Sequence, residues 1–246
     1  MDRFGKKWRF MEKIDDIRKL PGLGAQEIYI WGVHLPAVKE KLDRLHTVLC
    51  PAEQQKAARF YRTADRQASI AARGALRVLL SGYTGIPPAE LAFGHSENGK
   101  PFLDVPQAAL PSNISFNISH SGEWVVLAIG RNRCIGVDIE QIRRGPDILA
   151  IASRYFSPGE LERIQTAEDR HAAFFRLWSR KEAYIKACGS TLFRELSSFE
   201  VPSGDGEKEG WYFYELEAGS KYAAAVVTDH PAPHIPCYDF SKLNWW

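Results

Sequence analysis

The chain has 246 residues, 45% of them hydrophobic and 25% charged, with 32 Lys and Arg against 30 Asp and Glu for a formal net charge of +2. That length fits one large domain or two halves of about 120 residues, and the near balance of charge argues against a protein that coats nucleic acid. The opening "MDRFGKKWRFMEKIDD" carries charge throughout, and no run approaches the ~18 uninterrupted apolar residues of a membrane span, so a cytoplasmic protein with no membrane partner is expected.

In chain order, "QEIYIWGVHL" predicts a strand, and "PAEQQKAARF" opens a helix that runs on through "ASIAARGALRVLLSGYTG" and stops at Gly82. "LAFGHSENGKPFL" predicts a hairpin, because Asn98-Gly99 readily takes the positive φ angles of a tight turn; Lys100 sits at its exit. "DVPQAALPSN", residues 104 to 113, suits a connector. Two strands, "FNISHSGEWVVLAIG" and "CIGVDIEQI", then flank the turn "RNR". A helix starts at "SPGELERI", a longer one covers "FFRLWSRKEAYIKACG", and "EGWYFYELEAGSKYAAAVVTD" supplies a further strand pair. The final "LNWW" predicts an aromatic plug on the core. Cys50, Cys134, Cys188 and Cys237 form no C-x-x-C pair, so neither a zinc site nor a disulfide framework is signalled.

Landmarks recur at a constant offset of 107: Ile28 and Ile135, Pro51 and Pro158, Glu53 and Glu160, Arg73 and Arg180, Gly82 and Gly189. Such a repeat predicts a duplicated unit of strand, helices and further strands. The expected fold is therefore α+β, a pseudo-twofold pair of similar lobes, each a small antiparallel sheet packed with helices. The lobes are drawn as residues 1–112 and 113–246.

Only the second copy carries charge where it is unexpected. In "CIGVDIE" the residues Ile135, Val137 and Ile139 alternate with Gly136, Asp138 and Glu140, so the two carboxylates share one strand face about 7 Å apart. On the long helix, Phe174, Leu177, Trp178, Tyr184, Ile185 and Cys188 form an apolar arc that contains Lys181 and borders Glu182 and Lys186. An uncompensated charge there costs several kcal/mol. If helix and strand pack together, Asp138, Glu140 and Glu182 form an oxygen cluster suited to a hard cation such as Mg2+, with phosphate chemistry to follow. Lys181 is open between a structural ion pair and a site residue.

Five ordered motifs, "RFYRTADRQASIAARGALR", "NGKPFL", "FNISHSGEW", "IGVDIE" and "LWSRKEAYIKACG", span residues 26 to 226 and together resemble the 4′-phosphopantetheinyl transferases of the Sfp type, the two-lobed monomeric class. The resemblance implies transfer of the phosphopantetheine arm of coenzyme A to a serine of an apo acyl or peptidyl carrier protein, with Mg2+ or Mn2+, releasing adenosine 3′,5′-bisphosphate. It implies Asp138, Glu140 and Glu182 as metal positions, Glu182 and Lys186 as catalytic residues, and Lys56, Lys100, Ser119 and His120 as contacts to the cofactor's phosphates. Coenzyme A would lie between the lobes, the first acting as cofactor wall. Where some relatives carry a second basic residue before Lys56, this chain has Glu53. An acidic carrier would be steered by Arg59, Arg62, Arg66 and Arg73. Carboxylates and a lysine do not by themselves choose serine over water, so a nucleotide-pyrophosphate hydrolase stays open, as does a silent carrier-binding module. Residues 1–25 lie outside the resemblance.

Overall fold

The computed structural model describes residues 14–24, 26–104, 113–145, 147–189, 196–197, 199–232 and 234–245; the connector at 105–112, the basic start and Trp246 fall outside them. The first unit runs β1 (Ile28–His34), α1 (Leu42–Thr47), α2 (Pro51–Ala58), α3 (Thr63–Thr84), β2 (Phe93–His95), β3 (Pro101–Leu103), β4 (Ile114–Ser121) and β5 (Trp124–Arg131). The second runs β6 (Ile135–Gln141), α4 (Ile148–Tyr155), α5 (Pro158–Thr166), α6 (Arg170–Cys188), β7 (Gly206–Lys208), β8 (Trp211–Leu216) and β9 (Tyr222–Thr228). A final strand, β10 (Cys237–Asp239), returns to the first sheet.

The mixed α and β architecture with two small sheets is the one expected. One sheet has the order β10-β1-β5-β4 and the other β6-β9-β8-β7, while β2 and β3 pair separately. Within the two sheets all neighbours are antiparallel except β1 and β10. β1, α2 and α3 start at 28, 51 and 63, and β6, α5 and α6 at 135, 158 and 170, so the sequence offset is also the offset of the fold. The first sheet takes β4 and β5 from beyond the 112/113 line and β10 from near the end of the chain.

Three local expectations are corrected. The helix expected to run on from Pro51 is two helices, α2 and α3, separated at Arg59–Arg62, where Arg62 is extended at φ -86° and ψ 130°. "FNISHSGEWVVLAIG" is two strands, because Gly122 adopts φ +57° and turns the chain between Ser121 and Trp124. Gly82 lies inside α3, which ends at Gly85 with φ +73° and its N–H bonded to Ser81 O. A Cβ on Gly82 would stand 2.5 Å from Leu20 and 2.8 Å from Ile17, so this glycine admits the N-terminal segment against the helix. The Asn98-Gly99 turn forms as expected, with Gly99 at φ +78°. In the tail, Leu243 is buried and Trp245 packs against the first core.

Three apolar layers hold the chain. Trp31, Leu76, Leu79, Phe116 and Leu127 fill the space between the first sheet and α3. Phe156, Phe174, Ala183, Phe213 and Ala225 do the same between the second sheet and its helices. Between the sheets, Ile28, Ile30, Val126 and Ala128 meet Ile135, Val137 and Ile139. Since strand side chains alternate, Gly136, Asp138 and Glu140 are left facing α6.

Gly136 sets how close that helix comes. A Cβ there would lie 1.9 Å from Ala183 O and 2.4 Å from Ala187 N, both backbone atoms of α6 that cannot rotate aside. Gly136→Ala is expected to push α6 off β6, costing at least the ~1–3 kcal/mol of an overpacked core and most of the activity. Urea unfolding and a transfer assay check this, and a variant with wild-type stability would refute the close fit.

Candidate functional site

α6 begins at an N-cap, Asp169, whose carboxylate accepts from the N–H groups of His171 and Ala172, and ends at Gly189 with φ +64°. Between these stops its charged residues diverge. Lys181 is fully buried, with Nζ 2.8 Å from the equally buried Glu160 Oε2, and donates to the carbonyls of Leu196 and, at 2.7 Å, Phe199. Its ammonium also sits 4.5 Å from the centre of the Phe199 ring. Glu160 accepts in addition from the N–H groups of Ser157 and Val201. Lys181 is thus a structural anchor joining α5, α6 and the segment before β7.

Glu182 and Lys186 turn the other way, toward β6. Lys186 Nζ donates to Asp138 Oδ1 at 2.7 Å, Ser119 Oγ at 3.0 Å and Val137 O at 3.3 Å. Ser119 Oγ in turn donates to Asp138 Oδ1 at 2.7 Å. Asp138 is 3% exposed, and burial pushes its carboxyl above the ordinary range against the pull of Lys186 and Ser119. Glu140 is raised by burial and by the Asp138 charge. Glu182 is raised to about 7, by burial first and then by the charge of Asp138. Three carboxylates therefore share one field.

Two observations test whether these residues suit a cation. Asp138 Oδ2 is buried without a hydrogen-bond partner, an acceptor that a metal would satisfy. All three carboxylates also resist ionisation, chiefly because they are buried, a cost that a bound cation would offset. Among the described residues no three His, Cys, Asp or Glu side chains are already drawn together to hold an ion; mutual repulsion opposes that convergence, and Lys186 supplies the local counter-charge. The donor set fits Mg2+ or Mn2+, which take hard oxygen ligands.

The remaining expected contacts lie on other elements. Lys100 is half-buried, and its Nζ donates to Ile135 O at 2.9 Å and Ala187 O at 3.2 Å, tying the start of β6 to the last turn of α6. Burial lowers its pKa. Ser119 and His120 point to opposite faces of β4, the serine buried and the histidine exposed. Lys56 is exposed on α2. Glu53 is committed to structure: its carboxylate accepts from Cys50 N at 3.2 Å and Arg77 Nε at 2.6 Å. Arg73 faces the same carboxylate at 3.8 Å, whereas Arg59, Arg62 and Arg66 are exposed. A cavity of about 880 Å3 lined by Arg144, Ile148, Asp169 and His171 lies at the far end of α6, away from the acidic cluster.

Sequence reading missed the polar side of β4. Asn117 Oδ1 accepts from Val137 N at 2.9 Å, and Ser121 Oγ donates to Glu140 Oε2 at 3.0 Å. The signal was present as period-2 alternation, since Asn117, Ser119 and Ser121 occupy one strand face.

Comparison with known proteins agrees with this architecture. The family model described as 4′-phosphopantetheinyl transferase superfamily matches residues 134–234, and one described as 4′-phosphopantetheinyl transferase, N-terminal, matches residues 36–132. The chain is 33% identical to the 4′-phosphopantetheinyl transferase HetI of Nostoc sp., over 82% of this chain and 88% of the relative. It is 34% identical to the 4′-phosphopantetheinyl transferase ffp of Bacillus subtilis, over 85% and 84%. Identity to the 4′-phosphopantetheinyl transferase Sfp of Bacillus subtilis (strain 168) is 31%, over 82% and 92%. With both halves matched and relatives aligned over most of their length, the chain belongs to the 4′-phosphopantetheinyl transferases of the Sfp type.

Proposed function

We propose that this transferase moves the 4′-phosphopantetheine arm of coenzyme A onto a serine of an apo acyl or peptidyl carrier protein, with a divalent cation held by Asp138, Glu140 and Glu182. What supports the proposal is the Lys186–Asp138 pair at the contact between α6 and β6, with Glu140 two residues on along the strand and Glu182 one turn before Lys186 on the helix. A cation bound there supplies Lewis-acid neutralisation of the cofactor's pyrophosphate.

The protein's own groups supply the rest. A serine hydroxyl is a weak nucleophile at neutral pH and needs a base; that role is assigned to Glu182 or to a water held by the cation. Attack at the β-phosphorus forms the new ester bond and breaks the pyrophosphate bond, and adenosine 3′,5′-bisphosphate leaves. Lys186, on the same face of α6 one turn later, neutralises the phosphate that departs. Lys56, Lys100 and His120 are assigned to the cofactor's phosphates. For Lys100 this requires the ammonium to trade its carbonyl partners for phosphate oxygens.

No described helix is long and apolar enough to cross a membrane; a cytoplasmic site of action is proposed. A monomer with two lobes is proposed, in keeping with the two sheets sharing one apolar layer. Intact mass spectrometry of an apo carrier protein incubated with the enzyme, coenzyme A and Mg2+ tests the function. A gain of one phosphopantetheine is expected, lost on chelation. Cleavage of coenzyme A without mass gain would establish the hydrolase instead, and cofactor binding with neither outcome would leave a silent module.

A further inference from the structure

β4 and β6 are the facing edge strands of the two sheets, β4 pairing with β5 and β6 with β9. Side chains join them. Asn117, on one face of β4, accepts from Val137 N, and Ser121 Oγ accepts from Gln141 N at 3.0 Å, so two main-chain donors of β6 are satisfied by side chains of the opposing edge. Ser121 is 8% exposed.

A serine hydroxyl has one proton and two lone pairs. In Ser121 a lone pair is engaged by Gln141 N–H, and the single proton is given to Glu140 Oε2 at 3.0 Å. Ser119 repeats the arrangement two residues earlier, accepting from Lys186 Nζ and donating to Asp138 Oδ1. Each carboxylate of β6 thus has its own serine on β4, each serine oriented by a second donor. Of the pair, the Ser121 hydroxyl is bonded to Glu140 and to Gln141 N, whereas among the described residues it is Ser119 that holds Lys186. The hydroxyl thus holds one of the two oxygens of Glu140.

We propose that Ser121 is a positioning residue: its hydroxyl fixes the Glu140 carboxylate in the orientation from which it joins Asp138 and Glu182 on a divalent cation. The inference rests on the metal assignment above. Partners of this kind, one bond removed from the ion, typically account for about 10–100-fold in metal affinity.

Binding of Mn2+ to the full chain in the presence of coenzyme A, followed by electron paramagnetic resonance, reads the effect without turnover. Ser121→Ala is expected to weaken Mn2+ about tenfold and to raise the metal concentration for half-maximal transfer by the same factor, leaving kcat at saturating metal within about twofold of wild type. Ser115→Ala, which removes a hydroxyl from the same strand away from the carboxylates, is expected to change neither. Should Ser121→Ala fail to fold, Ser121→Thr against Ser121→Val decides the matter, since the two side chains match in shape and only threonine keeps the hydroxyl. Equal Mn2+ affinity in wild type and Ser121→Ala, or in the Thr and Val variants, overturns the inference and leaves the metal assignment intact. Wild-type protein that binds no Mn2+ overturns the assignment and the inference together.

Discussion

Glu182→Gln is expected to reduce transfer about a thousandfold while raising the thermal midpoint of the metal-free protein at pH 8. The loss follows from removing a metal oxygen and the proposed base together. The gain follows from linkage. Burial raises the Glu182 carboxyl from 4.5 to about 7, so between those values the folded protein holds a proton that the unfolded chain has released. Below about pH 4.5 the group is neutral in both states and carries no penalty. The penalty grows as pH rises toward 7 and is complete above it. A glutamine, neutral throughout, escapes it. Thermal unfolding in chelator at pH 5, 6 and 8 should show the advantage of Glu182→Gln widening with pH. An advantage that does not vary with pH, or a variant that transfers at the wild-type rate, would sink this account.

Lys181, one residue earlier, should behave in the opposite sense. Its ammonium and Glu160 form an ion pair with no exposed surface on either side chain, and the lysine also holds the carbonyls of Leu196 and Phe199. Lys181→Ala strands a buried carboxylate and unpairs those carbonyls, an expected loss of about 3–5 kcal/mol in urea unfolding at any metal concentration. Lys181→Met with Glu160→Gln should recover part of that loss, because neither residual side chain is charged. A Lys181→Ala protein of wild-type stability would mean that water or another cation reaches Glu160. Neighbouring charges on one helix are thus separable by experiment: one variant trades activity for stability, the other forfeits stability.

This split explains how far the sequence was readable. Periodicity exposed the two polar faces, Asp138 with Glu140 and Glu182 with Lys186, while only the structure showed that Gly136 is where helix and strand meet. Helix and strand starts repeated at one offset because the fold repeats there. What periodicity could not supply was the partner of each charge. Lys181 and Glu182 look alike on a helical projection, and only the capping box at Ser157–Glu160 hints that a buried carboxylate awaits the lysine. Arg73 looks like a member of the exposed arginine row until Glu53 is found beneath it. Gly82 resembled a helix stop because a glycine needed for close packing and one needed for positive φ are written with the same letter. Asn117 and Ser121 escaped notice since each looks like an ordinary polar strand residue; their partners come from an edge of the other sheet.

The parallel strand β10 has a consequence for the order of assembly. β1 is complete only when Ile30, Trp31 and Gly32 have Cys237, Tyr238 and Asp239 beside them, and Asp16 meets Asn244 just beyond. During synthesis the first sheet must therefore wait, one flank of its central strand bare, until nearly all of the second unit has been made. Bare strand flanks invite pairing with other chains, and contacts of such long sequence separation form late and slowly. The unit that emerges first is thus finished last, once β10 has been made and can pair with β1.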